Sequence, residues 1–222
     1  MLSNVSLPEG KVKPSSVEFA LDALPEVKSS QTGVSVEYAH DPNKQWFVLR
    51  SSYGREQKAA NYLIDKGIYT YVARRYAYKN FNGKQKRILK SLIPNIIFVY
   101  TTPEEADYYV KKDISSSTIL SYYYNHFKQV NGKNPPLTVK DSEMNVFIKA
   151  TSTMNEHMKF LELGQCTFKT GEMVRVTDGP FKGVTGRVAR VSRQQCVVVE
   201  LSGIGFVSTA YIPNAFLELI NG

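Results

Sequence analysis

At 222 residues, with 42% hydrophobic and 22% charged side chains, the chain has the make-up of an ordinary globular protein of one large or two small domains. No apolar run reaches the length that spans a membrane, and the opening MLSNVSLPEGKVKPSS lacks the apolar core of a secretory signal. Two cysteines, Cys166 and Cys196, make no disulfide framework and fit a reducing cytoplasm, while 28 Lys and Arg against 20 Asp and Glu, a net charge of +8, favour an anionic partner, nucleic acid above all.

Residues 1–43 are polar, without sustained periodicity, and are expected to form a mobile tail. Order is expected from QWFVLRSS, where residues 46–49 make the short apolar run of a buried strand. In YGREQKAANYLIDKG, Ala59, Ala60, Leu63 and Ile64 share one helical face, and Gly67 suits the C-terminal stop. A stretch rich in Tyr and Val follows, in which Asn82-Gly83 signals a hairpin turn, and NIIFVYTT reads as the next strand. Thr102, Pro103 and Glu105 fit a capping box with proline at the first helical position. STILSYYYN is expected as the last strand of this unit and NGKNPP (131–136) as a loop. TVKDSEMNVFIKA reads as a helix, with capping-box spacing between Thr138 and Asp141 and an apolar stripe of Met144, Phe147 and Ile148. Residues 151–167 lose clear period and read as a linker. From Phe168 onward short alternating strands recur at turn-spaced intervals, the pattern of a small barrel. Residues 44–150 are therefore expected to form an α+β domain, and residues 168–222 a β-barrel.

The stretch VRVTDGPFKGVTGRV, residues 174–188, sets Gly179, Gly183 and Gly186 between short valine runs. Asp178-Gly179 supplies a residue that accepts positive φ, and Pro180 fixes the next φ. By glycine count alone, a turn in any small barrel explains this. The longer string GEMVRVTDGPFKGVTGRVARV is more specific and resembles the KOW motif of small SH3-like barrels in the NusG family and in some ribosomal proteins. The resemblance rests on Gly171, the Val-Arg-Val strand, Asp178, Gly179, Pro180, Phe181, Gly183 and Gly186. QWFVLRSSYGREQKAANYL is similar to the opening of the NusG N-terminal domain. SLIPNIIFV is similar to that family's aromatic–Pro–Gly/Asn–aromatic turn before a buried strand. Ile93 and Ile96 stand where aromatics are usual, and Asn95 replaces Gly, as in the operon-specialised relative RfaH. PLTVKDSEMNVFI, GPFKGVTGRV and STAYIPNAFLELI together resemble the UpxY group, NusG-like antiterminators encoded with bacterial surface-polysaccharide operons.

The resemblance implies an α+β NusG-type N-terminal domain, an antiparallel sheet with flanking helices, followed by an SH3-like KOW β-barrel. It implies no enzymatic activity, no cofactor, no metal and no membrane, and a bacterial, cytoplasmic, nucleoid-associated location. It implies a clamp that docks an apolar face on the β′ clamp helices of RNA polymerase, bridges the DNA cleft and opposes pausing or premature termination on a surface-polysaccharide operon. On family position, Tyr69, Tyr71, Ile93, Pro94, Ile96 and Phe98 are the polymerase-binding candidates. Strand alternation sets Ile96 and Phe98 on one face and Ile97 and Val99 on the other. One set is expected to be core, and the sequence leaves open which.

Residues 74–90 carry seven cations, Arg74, Arg75, Lys79, Lys84, Lys86, Arg87 and Lys90, and no carboxylate, with Tyr76, Tyr78 and Phe81 interleaved. Such a segment contacts phosphates by charge and bases by stacking. The resemblance places it beside upstream or non-template DNA, with nascent RNA as a further strand; a solvated, solubilising hairpin is the competing explanation. Arg55, Lys58, Tyr62 and Lys66 on the first helix read as a solvated face. The barrel is expected to recruit a second partner, Rho or a ribosomal protein. The alternative reading is a KOW-containing RNA-binding protein acting on the ribosome. His40, His126 and His157 are scattered, and no C-x-x-C, H-E-x-x-H, P-loop or G-x-S-x-G string occurs, so neither catalysis nor metal binding finds support. Abundant valines and interrupting glycines favour a permanent β-barrel, which is expected to move independently on its linker.

Overall fold

The computed structural model describes residues 40–52, 54–117, 119–163 and 171–220. Cys166 and all but the last four residues of the expected tail lie outside them. The central strand, β1 (Gln45–Ser51), is buried on both faces, with Trp46 and Val48 on one side and Phe47 and Leu49 on the other. It pairs antiparallel with β5 (Ile96–Thr101), which pairs in turn with β2 (Tyr69–Tyr71). On its other edge β1 meets two short strands in line, β6 (Leu120–Tyr122) and β7 (Thr138–Val139). Tyr122 lies opposite Leu49 and Thr138 opposite Phe47, while Tyr123 and Leu137 both bond to Val48, so the edge strand is broken and residues 124–136 leave the sheet in the gap. They form a hairpin closed by the Tyr124–Pro136 and Val130–Lys133 bridges, with Asn131 and Gly132 both at positive φ in its turn. The expected loop at 131–136 is half of this element.

Between β2 and β5 the chain makes a separate two-stranded hairpin, β3 (Arg74–Phe81) and β4 (Lys84–Ser91). Asn82 and Gly83 both take positive φ, 49° and 78°, as the expected Asn-Gly turn requires.

Helix α1 (Glu56–Asp65) buries Ala59 and Leu63 against Phe47, Leu49, Ile97 and Val99. On the same side, α2 (Pro103–Asp107) starts at the expected capping box of Thr102 and Glu105. It runs into a π-turn, Tyr108–Lys112, and is followed by α3 (Ile114–Ser117). Helix α4 (Asp141–Thr151) covers the opposite side, packing Met144, Phe147 and Ile148 against Trp46, Val48 and Phe98. The expected Thr138 cap is not formed. Thr138 is held extended in β7 opposite Phe47, so the helix starts three residues later, after Lys140, with no side-chain cap.

Both faces of β5 are covered: Ile96 and Phe98 belong to the core under α4, and Ile97 and Val99 to the core under α1. One set was expected to be core; both are, because helices flank the sheet on both sides.

The C-terminal sheet has six strands in the order β13-β9-β10-β11-β12-β8. These are β8 (Lys159–Glu162), β9 (Met173–Val176), β10 (Thr185–Val191), β11 (Gln194–Leu201), β12 (Gly205–Ser208) and β13 (Leu217–Leu219). Val174, Val176, Val197, Val199, Leu201 and Val207 are all buried. The strands were expected; their starting point was not. Strand β8 lies within the expected linker, where Phe160 and Leu161 pair with Val207 and Phe206. Four residues are too few to display a period. Nor does the barrel stand apart from the first domain. Its buried valines and the Trp46–Phe98 core belong to one contiguous apolar cluster, with α4 between them. Glu143 on α4 accepts hydrogen bonds from the Ser202 N–H and hydroxyl, both at 3.1 Å. The expectation of independent movement overlooked that α4 is apolar on more than one side: Ala150, beside the sheet-facing Phe147 and Ile148, is also fully buried.

Candidate nucleic-acid interface and docking face

The β3–β4 hairpin projects without a partner strand, so its cross-strand pairs define its two faces. Arg75 lies opposite Lys90, Lys79 opposite Lys86 and Phe81 opposite Lys84; with Ala77 and Ile88 these residues make one face. Arg74, Tyr76, Tyr78, Arg87 and Leu89 lie on the other. The ring contacts agree with this division. The Lys79 and Lys86 ammonium groups lie 5.2 and 5.9 Å from the Phe81 ring centroid, while the Arg87 guanidinium sits 3.7 Å from that of Tyr76. Among the described residues none of the seven cations forms a salt bridge. The root of the hairpin is fixed to the turn after α4: the Tyr76 N–H donates to the Met154 carbonyl at 3.0 Å, and Arg75 Nη1 to that of Glu156 at 2.9 Å. Arg74 is half-buried at this root, and desolvation lowers its pKa, opposed by the nearby Tyr71 and Tyr76 hydroxyls. The structure thus gathers the seven expected cations on one element, five on one face and two on the other.

The expected polymerase-binding residues also come together, in a different state. Tyr71 and Tyr69 of β2 lie opposite Phe98 and Tyr100 of β5. Phe147 of α4 packs on Phe98 and Tyr71 at centroid distances of 5.1 and 6.1 Å. Ile93, Ile96 and Phe98 are buried, Tyr69 and Tyr71 half-buried, and Pro94 is exposed. The Tyr71 hydroxyl hydrogen bonds with Thr151 Oγ1 at 2.6 Å; burial raises its pKa and the hydrogen bond opposes this. The Pro94-Asn95 turn explains the choice of Asn, since Asn95 has φ of 61°, a conformation few residues other than Gly and Asn take readily. The Ser51 N–H donates to its carbonyl at 2.9 Å, and its own N–H donates to Glu56 Oε1 at 2.7 Å. Glu56, buried in the first turn of α1, was missed by sequence reading. An acidic residue at a helix start is too common a signal to mark it.

In the barrel, Asp178 Oδ1 accepts from the Gly179 N–H at 2.8 Å, Phe181 is buried, and Pro180 is exposed at the turn. Gly183 places its N–H 2.7 Å from the Val176 carbonyl. Gly186 lies so close to β11 that a Cβ there would meet the Val198 carbonyl oxygen at 2.4 Å. On α1, Arg55, Lys58 and Lys66 are exposed, while Tyr62 is tied to Asp113. Among the described residues no three His, Cys, Asp or Glu side chains are grouped to hold a metal ion, and no helix is long and apolar enough to cross a membrane.

This architecture has a known sequence counterpart: residues 44–148 match the family described as transcription termination factor nusG, and residues 170–201 match the KOW motif. The chain carries a NusG N-terminal domain followed by a KOW motif. It is similar to the transcription termination/antitermination protein NusG of Rickettsia typhi, at 24% identity over 169 residues that cover 68% of this chain and 77% of the relative. The same figures hold for NusG of Rickettsia conorii. Among solved structures it is similar to Thermotoga maritima NusG, described for its domain interaction, at 22% identity and a TM-score of 0.37, covering 80% of this chain and 98% of the other. NusG-family proteins are non-enzymatic transcription factors that bind RNA polymerase and nucleic acids. The ribosomal alternative is not favoured, since the NusG match falls on the 44–148 domain rather than on the KOW barrel alone.

Proposed function

We propose that the chain is a specialised elongation and antitermination factor of the UpxY kind, which binds RNA polymerase at its β′ clamp helices and opposes pausing or premature termination on a surface-polysaccharide operon. The observation that carries this reading is a carboxylate-free, seven-cation hairpin anchored on a NusG domain. Exposed Pro94, with half-buried Tyr69 and Tyr71, would form the polymerase contact, held in place by the buried Ile93, Ile96 and Phe98 behind it. The hairpin would lie against upstream or non-template DNA, or the nascent RNA, where cations replace condensed counterions on the phosphates. The KOW barrel would bring Rho or a ribosomal protein, and the whole would act in the bacterial cytoplasm at the nucleoid.

The test is retention of purified RNA polymerase and of ribosomes on the immobilised full chain, alone and as Pro94→Glu. Polymerase should be retained, and the exposed Pro94→Glu should weaken retention without lowering thermal stability. Retention of ribosomes with no polymerase would overturn the reading.

A further inference from the structure

We propose that one face of the β3–β4 hairpin, Arg75, Lys79, Lys84, Lys86 and Lys90 around Phe81, is a strip that binds one unpaired nucleic-acid strand, with phosphates on the cations and a base against the Phe81 ring. This rests on the reading of the hairpin as a nucleic-acid contact and adds which face, which strand state and which ring.

The two faces differ in how far their charges are already satisfied. On the Tyr76 face, Arg87 is stacked closely on its ring and Arg74 is half-buried at the root. On the Phe81 face, Arg75 is likewise half-buried and tied to the Glu156 carbonyl at the root, but Lys79, Lys84, Lys86 and Lys90 are exposed, and two pairs of cations lie directly opposite each other, Arg75 with Lys90 and Lys79 with Lys86. Like charges in directly opposed positions repel and weaken a hairpin. A two-stranded hairpin has little stability to spare, so an anion laid along that face relieves a repulsion that folding alone leaves in place. Residues two apart on a strand are about 6.8 Å apart. Lys84 and Lys86 therefore form two successive steps, and the Lys79–Lys86 and Arg75–Lys90 pairs repeat the charge towards the root. Phe81, 42% exposed, stands at the outer end, its ring attended among the described residues by the loosely placed Lys79 and Lys86 ammonium groups. When those groups turn to phosphates, a ring face is freed for stacking. Only an unpaired base can use it, because the bases of a duplex are already stacked on each other.

The experiment compares the full chain with two doubles matched in charge, Lys79→Gln/Lys86→Gln and Arg74→Gln/Arg87→Gln, and with Phe81→Ala. The probes are a labelled short oligodeoxythymidine and a duplex of equal length, each titrated across a salt series. The Lys79/Lys86 double should flatten the slope of log affinity against log salt for the single strand by about 1.4, some 0.7 for each phosphate no longer neutralised, while the Arg74/Arg87 double leaves it near that of the parent. Phe81→Ala should weaken single-strand binding by roughly tenfold, leave duplex binding unchanged, and keep the salt slope. The Lys79/Lys86 double should melt no lower than the parent, and a clear fall in melting temperature would contradict uncompensated repulsion on this face. Equal flattening by both doubles would overturn the assignment to one face. Equal weakening on duplex and single strand for Phe81→Ala would overturn the stacking. A parent chain with no salt-dependent binding at all would remove the nucleic-acid reading of the hairpin itself.

Discussion

Phe147→Ala removes a sheet-facing side chain of α4 from the apolar cluster that also holds the barrel valines. Phe147 is fully buried on α4, its ring against Phe98 and Tyr71, in the same apolar cluster as Trp46 and the barrel valines. Truncating a buried phenylalanine costs about 3–5 kcal/mol, from forfeited transfer free energy and the cavity left behind. Against a total stability of about 5–15 kcal/mol for a protein of ordinary stability, that is a large fraction. Urea denaturation followed by fluorescence reads the first domain cleanly, because Trp46 is the sole tryptophan and is fully buried in this core. Amide hydrogen exchange along β11 reads the barrel. The Trp46 transition should move to lower urea by an amount equivalent to about 3 kcal/mol or more, and exchange in β11 should quicken with it. A destabilisation below about 1 kcal/mol, or a fallen Trp46 transition beside unchanged β11 protection, would refute the shared core.

Ile96→Asp should yield unfolded or aggregated chain, since it buries a carboxylate where Ile96 is 6% exposed. A folded variant that had merely ceased to retain polymerase would show that Ile96 faces the partner. Gly186→Ala should destabilise the barrel by about 1–3 kcal/mol in thermal melts, because the new methyl meets the Val198 carbonyl, and an unchanged melting temperature would contradict that approach. Burial pushes the Cys196 thiol from 9.0 up to about 11. At pH 8 the folded chain should hold about 0.1% of it as thiolate, so Cys196 should resist iodoacetamide until urea is added; fast labelling of folded protein would contradict it. The same shift makes stability full below pH 9 and progressively lost as pH rises from there through about 11, because the unfolded thiol ionises first. An alkaline titration of stability that Cys196→Ala fails to flatten would refute that cause.

What was legible in the sequence was local. Thr102, Pro103 and Glu105 lie within one helical turn, and their capping box formed as read. Asn82-Gly83 supplies both positive φ values of its turn from adjacent residues. The KOW glycines and valines fall within one compact string, and the strands they specify are present. What was not legible depends on distant partners. Strands β6 and β7 are three and two residues long, and only their common pairing with β1 shows that residues 124–136 are an insertion in an edge strand. The Asn95–Glu56 contact joins residues 39 apart. Period-2 alternation in β5 says that its faces differ, and it is silent on whether helices cover one face or both. The seven cations of the candidate interface could be read directly, whereas their division between two faces required the register of β3 against β4.

The central claim, that this NusG-like chain acts on transcribing polymerase, is tested most directly by single-round transcription with purified bacterial RNA polymerase on a surface-polysaccharide operon leader. With the full chain added, promoter-proximal pauses should shorten and more transcripts should pass the terminator. Unchanged pausing and termination at saturating chain, with polymerase active and the chain folded, would contradict the account.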